Sequence, residues 1–164
     1  GSLGTKEAVE IVNRVAEVMD SFDGAVICTR DTHFADYLNT SEGRKLPVEH
    51  CIEGTKGHAL QDTIQKMAEK KQAVVTNKIT FGAKNLPEEI EKLAGGVPES
   101  IELVGLCTDI CVISNALLVK AFLPEAEVAV DAACCAGVTP ESHRTALAAM
   151  KSCQITVEHE ALPL

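Results

Sequence analysis

Two cysteines four residues apart, Cys107 and Cys111, stand where an apolar run passes into a helical pattern in "VGLCTDICVISNALLVKAF". If Thr108 or Asp109 caps that helix, Cys111 falls in its first turn and Cys107 on the loop before it. A helix N-terminus carries partial positive charge and unpaired N–H groups, which favour a thiolate and can hold an oxyanion, so Cys111 is the better placed nucleophile. The plain alternative is packing, because free cysteine is among the most buried residue types. Asp31 and His33 form a second group. Two apart on an extended backbone they point the same way, and with His50 they offer a carboxylate and two imidazoles, a donor set suited to zinc, iron or manganese. Against this stands a local role, with Asp31 capping a turn and the histidines bonding nearby backbone.

The elements that must position these groups follow from periodicity. "TKEAVEIVNRVAEVMDSF" places Val9, Val12, Val15, Ala16 and Met19 at helical spacing behind Thr5 as N-cap. Strands are expected over 25–29, 73–77, 101–106, 127–131 and 154–158, and helices over 59–71, 86–94, 110–122 and 139–151. Pro87 suits a first helical turn, as does Pro140 behind the cap Thr139. The stretch from Arg30 to about Gly57 is polar and irregular. Strands alternating with helices require right-handed crossovers and a mostly parallel sheet covered on both faces. The expectation is a three-layer, doubly wound α/β fold, with residues 1–164 forming a single domain. The chain opens on "GSLG", a turn composition leading straight into a helix, where a doubly wound fold would first have a strand. Either the first strand is missing from this sequence or the domain begins with a helix.

"GLCTDICV" resembles a segment of the isochorismatase-like cysteine hydrolases, the superfamily that contains nicotinamidases. "RDTHFADY", "LPVEHCIEGTKG" and "NKITFGA" are similar to three further segments of that family, in the same order along nearly the whole chain. The resemblance implies a catalytic role for Cys111 as nucleophile toward an amide carbonyl, through a thioester that water hydrolyses. It implies that Lys78, otherwise an ordinary solvated lysine at a strand end, lowers the thiol pKa and steadies developing charge. It further implies a cis Leu106–Cys107 peptide, with the backbone N–H groups of Cys107 and Cys111 as the oxyanion hole. Asp31, His33 and His50 match a divalent metal site. The family's remaining catalytic aspartate ends a first strand that is central in the sheet; no residue here is assigned to it, and Asp23 and Asp31 lie elsewhere in the pattern. That absence favours the missing-strand expectation.

The sequence departs from the pattern in two places. Where some relatives place another metal-binding histidine, eight after the aspartate, it has Asn39, so water, Asn39 or nothing would complete the metal site. Before the His-Cys segment, where an aromatic residue packs on a pyridine ring, it has Leu46 and Pro47, leaving Phe34 or Phe81 as substitutes. His58, His143 and His159 match no motif and are expected at the surface. The resemblance implies nicotinamide as the leading substrate, another small amide close behind, and assembly as a homo-oligomer. Isochorismate hydrolysis does not depend on the cysteine and is disfavoured by its presence. A dithiol redox protein would use Cys-x-x-Cys, whereas Cys107 and Cys111 are spaced Cys-x-x-x-Cys, and the adjacent Cys134 and Cys135 should pack on opposite sides of the chain. A non-catalytic scaffold that has lost the aspartate is the other rival.

Composition sets the outer limits. Hydrophobic residues make up 46% and charged residues 24% of the 164-residue chain, enough to fold rather than remain disordered. A formal net charge of -9 excludes a polyanionic partner, whether nucleic acid or an anionic membrane surface. No segment approaches the length of a membrane span, and the N-terminus lacks a signal pattern. Seven cysteines spread along the chain read as reduced thiols and a cytoplasmic location.

Overall fold

The computed structural model describes residues 2–160. Helices α1 (Lys6–Glu10) and α2 (Val12–Ser21) lead to strand β1 (Ile27–Asp31). A long irregular stretch follows, holding the short helix α3 (Ser41–Lys45), and gives way to α4 (Asp62–Lys70), β2 (Val74–Lys78) and α5 (Leu86–Ala94). Then come β3 (Ser100–Leu106), α6 (Ile113–Phe122), β4 (Glu127–Ala136), α7 (Pro140–Ser152) and β5 (Thr156–Glu158). Every expected element is present. Thr5 caps α1 by accepting from the Ala8 N–H, and Thr139 caps α7 in a reciprocal box with Ser142, with Pro140 in the first position.

All strand pairs are parallel, in two groups: β1 with β2, and β3–β4–β5. Helices cover both faces. On one face Val15, Met19, Ala68 and Cys134 form a cluster bordered by Cys28 and Val104. On the other, Val112, Val119, Val130, Cys135, Leu147 and Met150 form the larger core, bordered by Ile27 and Leu103. The two strand groups therefore share both apolar layers, and the molecule is the expected three-layer α/β fold. Cys134 and Cys135 pack into opposite layers, as a period of two demands, and all seven cysteines are free. None of the described helices is long and apolar enough to cross a membrane.

The expected first helix is broken at Ile11 into α1 and α2, and two strands differ from expectation at their ends. β1 runs two residues later than expected, to Asp31, because its register carries on beside β2 as far as Lys78. β4 extends to Ala136, past a register irregularity opposite Leu103–Gly105.

Candidate active site

Register makes the first contact. In the parallel β1–β2 ladder Asp31 is the partner of Lys78, so both side chains leave the carboxyl ends of their strands together. The Lys78 ammonium forms an ion pair with the Asp31 carboxylate and also donates to the Thr80 carbonyl at 3.2 Å. Lys78 is 6% exposed: this is a buried, fixed cation, the opposite of a solvated strand-end lysine. Its ammonium lies 3.4 Å from the Cys111 sulfur.

Cys111 reaches that position through the end of β3. Gly105 has φ +114, a conformation side chains avoid, and the following Leu106–Cys107 peptide is cis. The chain then turns through one π-helical turn, Thr108–Val112, in which the Val112 N–H bonds back to the Cys107 carbonyl at 3.0 Å. The turn runs directly into α6. Cys111 is in the first turn, as expected, but the capping differs. Neither Thr108 nor Asp109 caps it; the N-cap position is Cys107, with no side-chain bond. Thr108, fully buried, instead meets the His143 Nδ1 at 2.7 Å, and the Asp109 carboxylate accepts the Val138 N–H at 3.0 Å. Both side chains tie the turn to the start of α7. Asn115 ties it to the loop after β2: its Nδ2 donates to the Cys111 carbonyl at 2.9 Å and the Phe81 carbonyl at 3.3 Å, and its Oδ1 accepts from the Ala83 N–H at 2.8 Å.

The electrostatics separate the two cysteines. Burial pushes the Cys107 thiol up to about 11, with the neighbouring Cys111 adding to the effect. Cys111 is also raised, first by burial and then by Asp31, but Lys78 and a backbone bond from Cys107 work in the other direction. Burial alone would lower Lys78; the sulfur of Cys111 and the carboxylate of Asp31 outweigh it and hold the ammonium above its ordinary value. The resting arrangement is thus an ammonium between a carboxylate and a sulfur.

The metal-type residues also converge. Donor atoms of Asp31, His33 and His50 lie within 4.8 Å of one another. A parallel bridge between His33 and Ile52, with the His33 N–H donating to the Cys51 carbonyl at 3.0 Å, brings the His50 segment alongside. The His50 Nδ1 bonds the Val48 carbonyl at 2.8 Å, which makes that nitrogen the donor and leaves Nε2 with its lone pair facing inward. Burial pushes the His33 pKa below its ordinary value, against the pull of Glu42, and its buried Nε2 has no hydrogen-bond partner. An orphaned imidazole nitrogen beside a second imidazole and a carboxylate fits a divalent cation.

The fourth neighbour is Glu42, which sequence reasoning missed. Its Oε1 lies 3.6 Å from the Nε2 of both His33 and His50. Asn39, the residue considered for that place, is exposed. Glu42 is delivered by α3, which starts at the Thr40 cap and packs on the fully buried Tyr37. A Cβ at Gly43 would stand 2.0 Å from the Tyr37 carbonyl, so only glycine allows that approach. The Tyr37 ring contacts both imidazoles, with centroids at 4.7 and 5.0 Å. One glutamate in a five-residue helix carries no spacing signature relative to the histidines, so the sequence offered no signal for it.

Asp31 was read only as a metal-type residue; the structure also makes it the partner of Lys78. His58, expected at the surface, is buried with its Nε2 2.9 Å from the Thr32 hydroxyl, and His143, also expected there, is half-buried against Thr108. His159 is exposed, as expected, beside the buried Asp131. Asp31, Lys78 and Cys111 open onto a cavity of about 220 Å³ that is also lined by Cys51, His58 and Leu106 among others. Phe34 and Phe81 do not line it and are exposed.

The similarities to known proteins agree with this geometry. Residues 2–161 match the model of the isochorismatase domain. The solved nicotinamidase of Bacillus subtilis is 26% identical, with a TM-score of 0.76 over 93% of this chain and 86% of that one. A zinc-bound pyrazinamidase of Pyrococcus horikoshii is 23% identical, with a TM-score of 0.75 over 96% and 89%. Yeast nicotinamidase is 17% identical, with a TM-score of 0.83 over 98% and 92%. The last two likenesses are of fold alone. A comparison with curated proteins gives no match. With the family model spanning residues 2–161, this chain belongs to the isochorismatase family.

Proposed function

We propose that this chain is a cysteine-dependent amidohydrolase of small amides, with nicotinamide, hydrolysed to nicotinate and ammonia, as the leading substrate. The observation that carries the reading is the buried Lys78 ammonium 3.4 Å from the Cys111 sulfur at the mouth of a small cavity. A cavity of about 220 Å³ suits a one-ring amide rather than a larger ligand, and the solved relatives named as nicotinamidases and pyrazinamidases support the choice.

Cys111 loses its proton as its sulfur bonds to the amide carbon, and the carbonyl electrons move to oxygen. The thiol proton is carried over to the amide nitrogen. Lys78 stabilises the anionic sulfur, and the Cys107 and Cys111 N–H groups receive the oxyanion. Collapse breaks the C–N bond; the amine takes the proton and leaves as ammonia. Water then cleaves the thioester, returning the thiol and the carboxylic acid. Asp31, His33 and His50, with Glu42 beside them, would hold a zinc, iron or manganese ion. Such an ion supplies a Lewis acid that can polarise a substrate donor atom or a bound water. On this reading residues 1–164 form one hydrolase domain working in the cytoplasm, as a homo-oligomer by family resemblance.

The test is covalent. Acid-quenched turnover of nicotinamide, digested and examined by mass spectrometry, should show a nicotinoyl thioester on the peptide carrying Cys111. An acyl group found only on another cysteine would overturn the mechanism.

A further inference from the structure

The N–H groups of Cys107 and Cys111 stand near the two ends of the π-helical turn. Such a turn is rare and is not held by helix propensity, so side chains from outside must fix its shape. At the Cys111 end Asn115 holds the Cys111 carbonyl. At the other end the residue after Cys107 is Thr108, whose hydroxyl is wholly buried and, among the described residues, has one partner, the His143 Nδ1 at 2.7 Å. The peptide joining Cys107 to Thr108 carries the carbonyl that accepts from both the Ile110 and Val112 N–H groups at 3.0 Å. Where Thr108 is held therefore decides how that peptide, and the Cys107 N–H before it, are aimed.

His143 is itself on a rigid support. It is the fourth residue of α7, whose first turn is fixed by Pro140 and by the reciprocal bonds of Thr139 and Ser142. Its N–H donates to the Thr139 carbonyl at 3.0 Å. The buried Gly137 lets α7 and the turn meet: a Cβ there would stand 2.9 Å from the His143 nitrogen and 3.0 Å from the Asp109 Oδ1. Asp109, accepting from the Val138 N–H, is a second link to the same segment. His143 does not line the cavity that Cys111 faces, so it reaches the reaction only through Thr108.

We propose that His143 is a positioning residue for the oxyanion hole: its ring fixes the Thr108 hydroxyl, and through it the aim of the Cys107 and Cys111 N–H groups, without touching the substrate. The proposal rests on the amide hydrolysis proposed above, in which those N–H groups receive the oxyanion. An element that aims oxyanion donors acts where charge develops, so its loss falls on kcat rather than on KM or on the reactivity of the sulfur.

The test is ammonia release from nicotinamide by the parent chain, His143→Leu, His143→Asn, Thr108→Val and the Thr108→Val, His143→Leu pair. Both single apolar variants should lower kcat about ten- to a hundredfold with KM within about twofold of the parent. His143→Asn, which returns a hydrogen-bonding group to the place of Nδ1, should recover most of the loss. The pair should lose no more than the worse single variant, because both remove one bond. Alkylation of Cys111 by iodoacetamide, which forms no oxyanion, should keep its rate throughout. Parent-like kcat in His143→Leu, an Asn variant as poor as Leu, additive losses in the pair, or alkylation that falls with kcat would each overturn the proposal. If His143→Leu fails to fold, Thr108→Val and His143→Asn decide by the same readings. Hydrogen exchange over 107–112 gives a reading independent of any reaction: it should quicken about tenfold or more in Thr108→Val and His143→Leu, but not in His143→Asn. A parent that releases no ammonia overturns the function proposed above; the positioning role is then judged by exchange, and unchanged exchange in both apolar variants overturns it too.

Discussion

Cys111 and Lys78 are coupled, and that coupling is measurable without turnover. Lys78 opposes the rise in the Cys111 pKa caused by burial and Asp31, so Lys78→Met should move the pH profile of Cys111 alkylation upward, further from the ordinary thiol value of about 8.5. The same substitution should lower kcat/KM by about a hundredfold or more, since it removes a preorganised charge beside the developing anion. An unmoved alkylation profile would show that the ammonium does not act on the sulfur. At the metal-type site Glu42→Gln should weaken zinc affinity by about ten- to a hundredfold in chelator competition, while Asn39→Ala leaves it unchanged. Equal losses would return Asn39 to the site. Much of this was legible in the sequence. Cys111, Lys78, Asp31, His33 and His50 converge as expected, because motif order encodes which strand end each residue occupies. Glu42, Tyr37 and the second partner of Asp31 were not, because they depend on how an irregular stretch folds back and on strand register, neither of which has a period.

At the scale of elements, the turn carrying Cys111 is held by side chains that do no chemistry. Asn115 satisfies three backbone groups, one in that turn and two in the loop after β2. Asn115→Leu should cost about 1–3 kcal/mol of stability through the polar groups it strands, read from urea unfolding, and should loosen Cys111 against Lys78. A midpoint equal to that of the parent would mean that the three bonds are replaced by water. Helix α5 and the caps of α1 and α7 were readable to the residue from Thr5, Pro87 and Thr139. The start of α6 was not. Thr and Asp ahead of an apolar run read as caps, yet here the Thr108 hydroxyl meets His143 and the Asp109 carboxylate accepts from Val138, long-range partners that no local pattern displays.

The whole molecule stores several protonated thiols. Cys107 is pushed up to about 11 and Cys134 and Cys135 to about 12, each chiefly by burial. The unfolded thiols titrate near 8.5, so above that pH the unfolded chain has released protons that the folded one still binds. The stability these thiols confer is fully present below about pH 8.5 and is lost progressively toward pH 11–12. Thermal midpoints should therefore fall steadily between pH 9 and pH 11, and the triple substitution Cys107→Ala, Cys134→Ala, Cys135→Ala should flatten the fall. A slope unchanged in that variant would assign the loss to other groups. The alternation of strands and helices made the layered fold legible, whereas strand order rested on the family resemblance, since pattern gives strand identity but not which edges meet. The central claim is that Cys111 is the nucleophile of an amide hydrolysis in which Cys107 contributes only backbone. The most direct measurement is ammonia release from nicotinamide by the parent chain, Cys111→Ala and Cys107→Ala. The account predicts release that vanishes in Cys111→Ala and persists in Cys107→Ala; release retained by Cys111→Ala would contradict it.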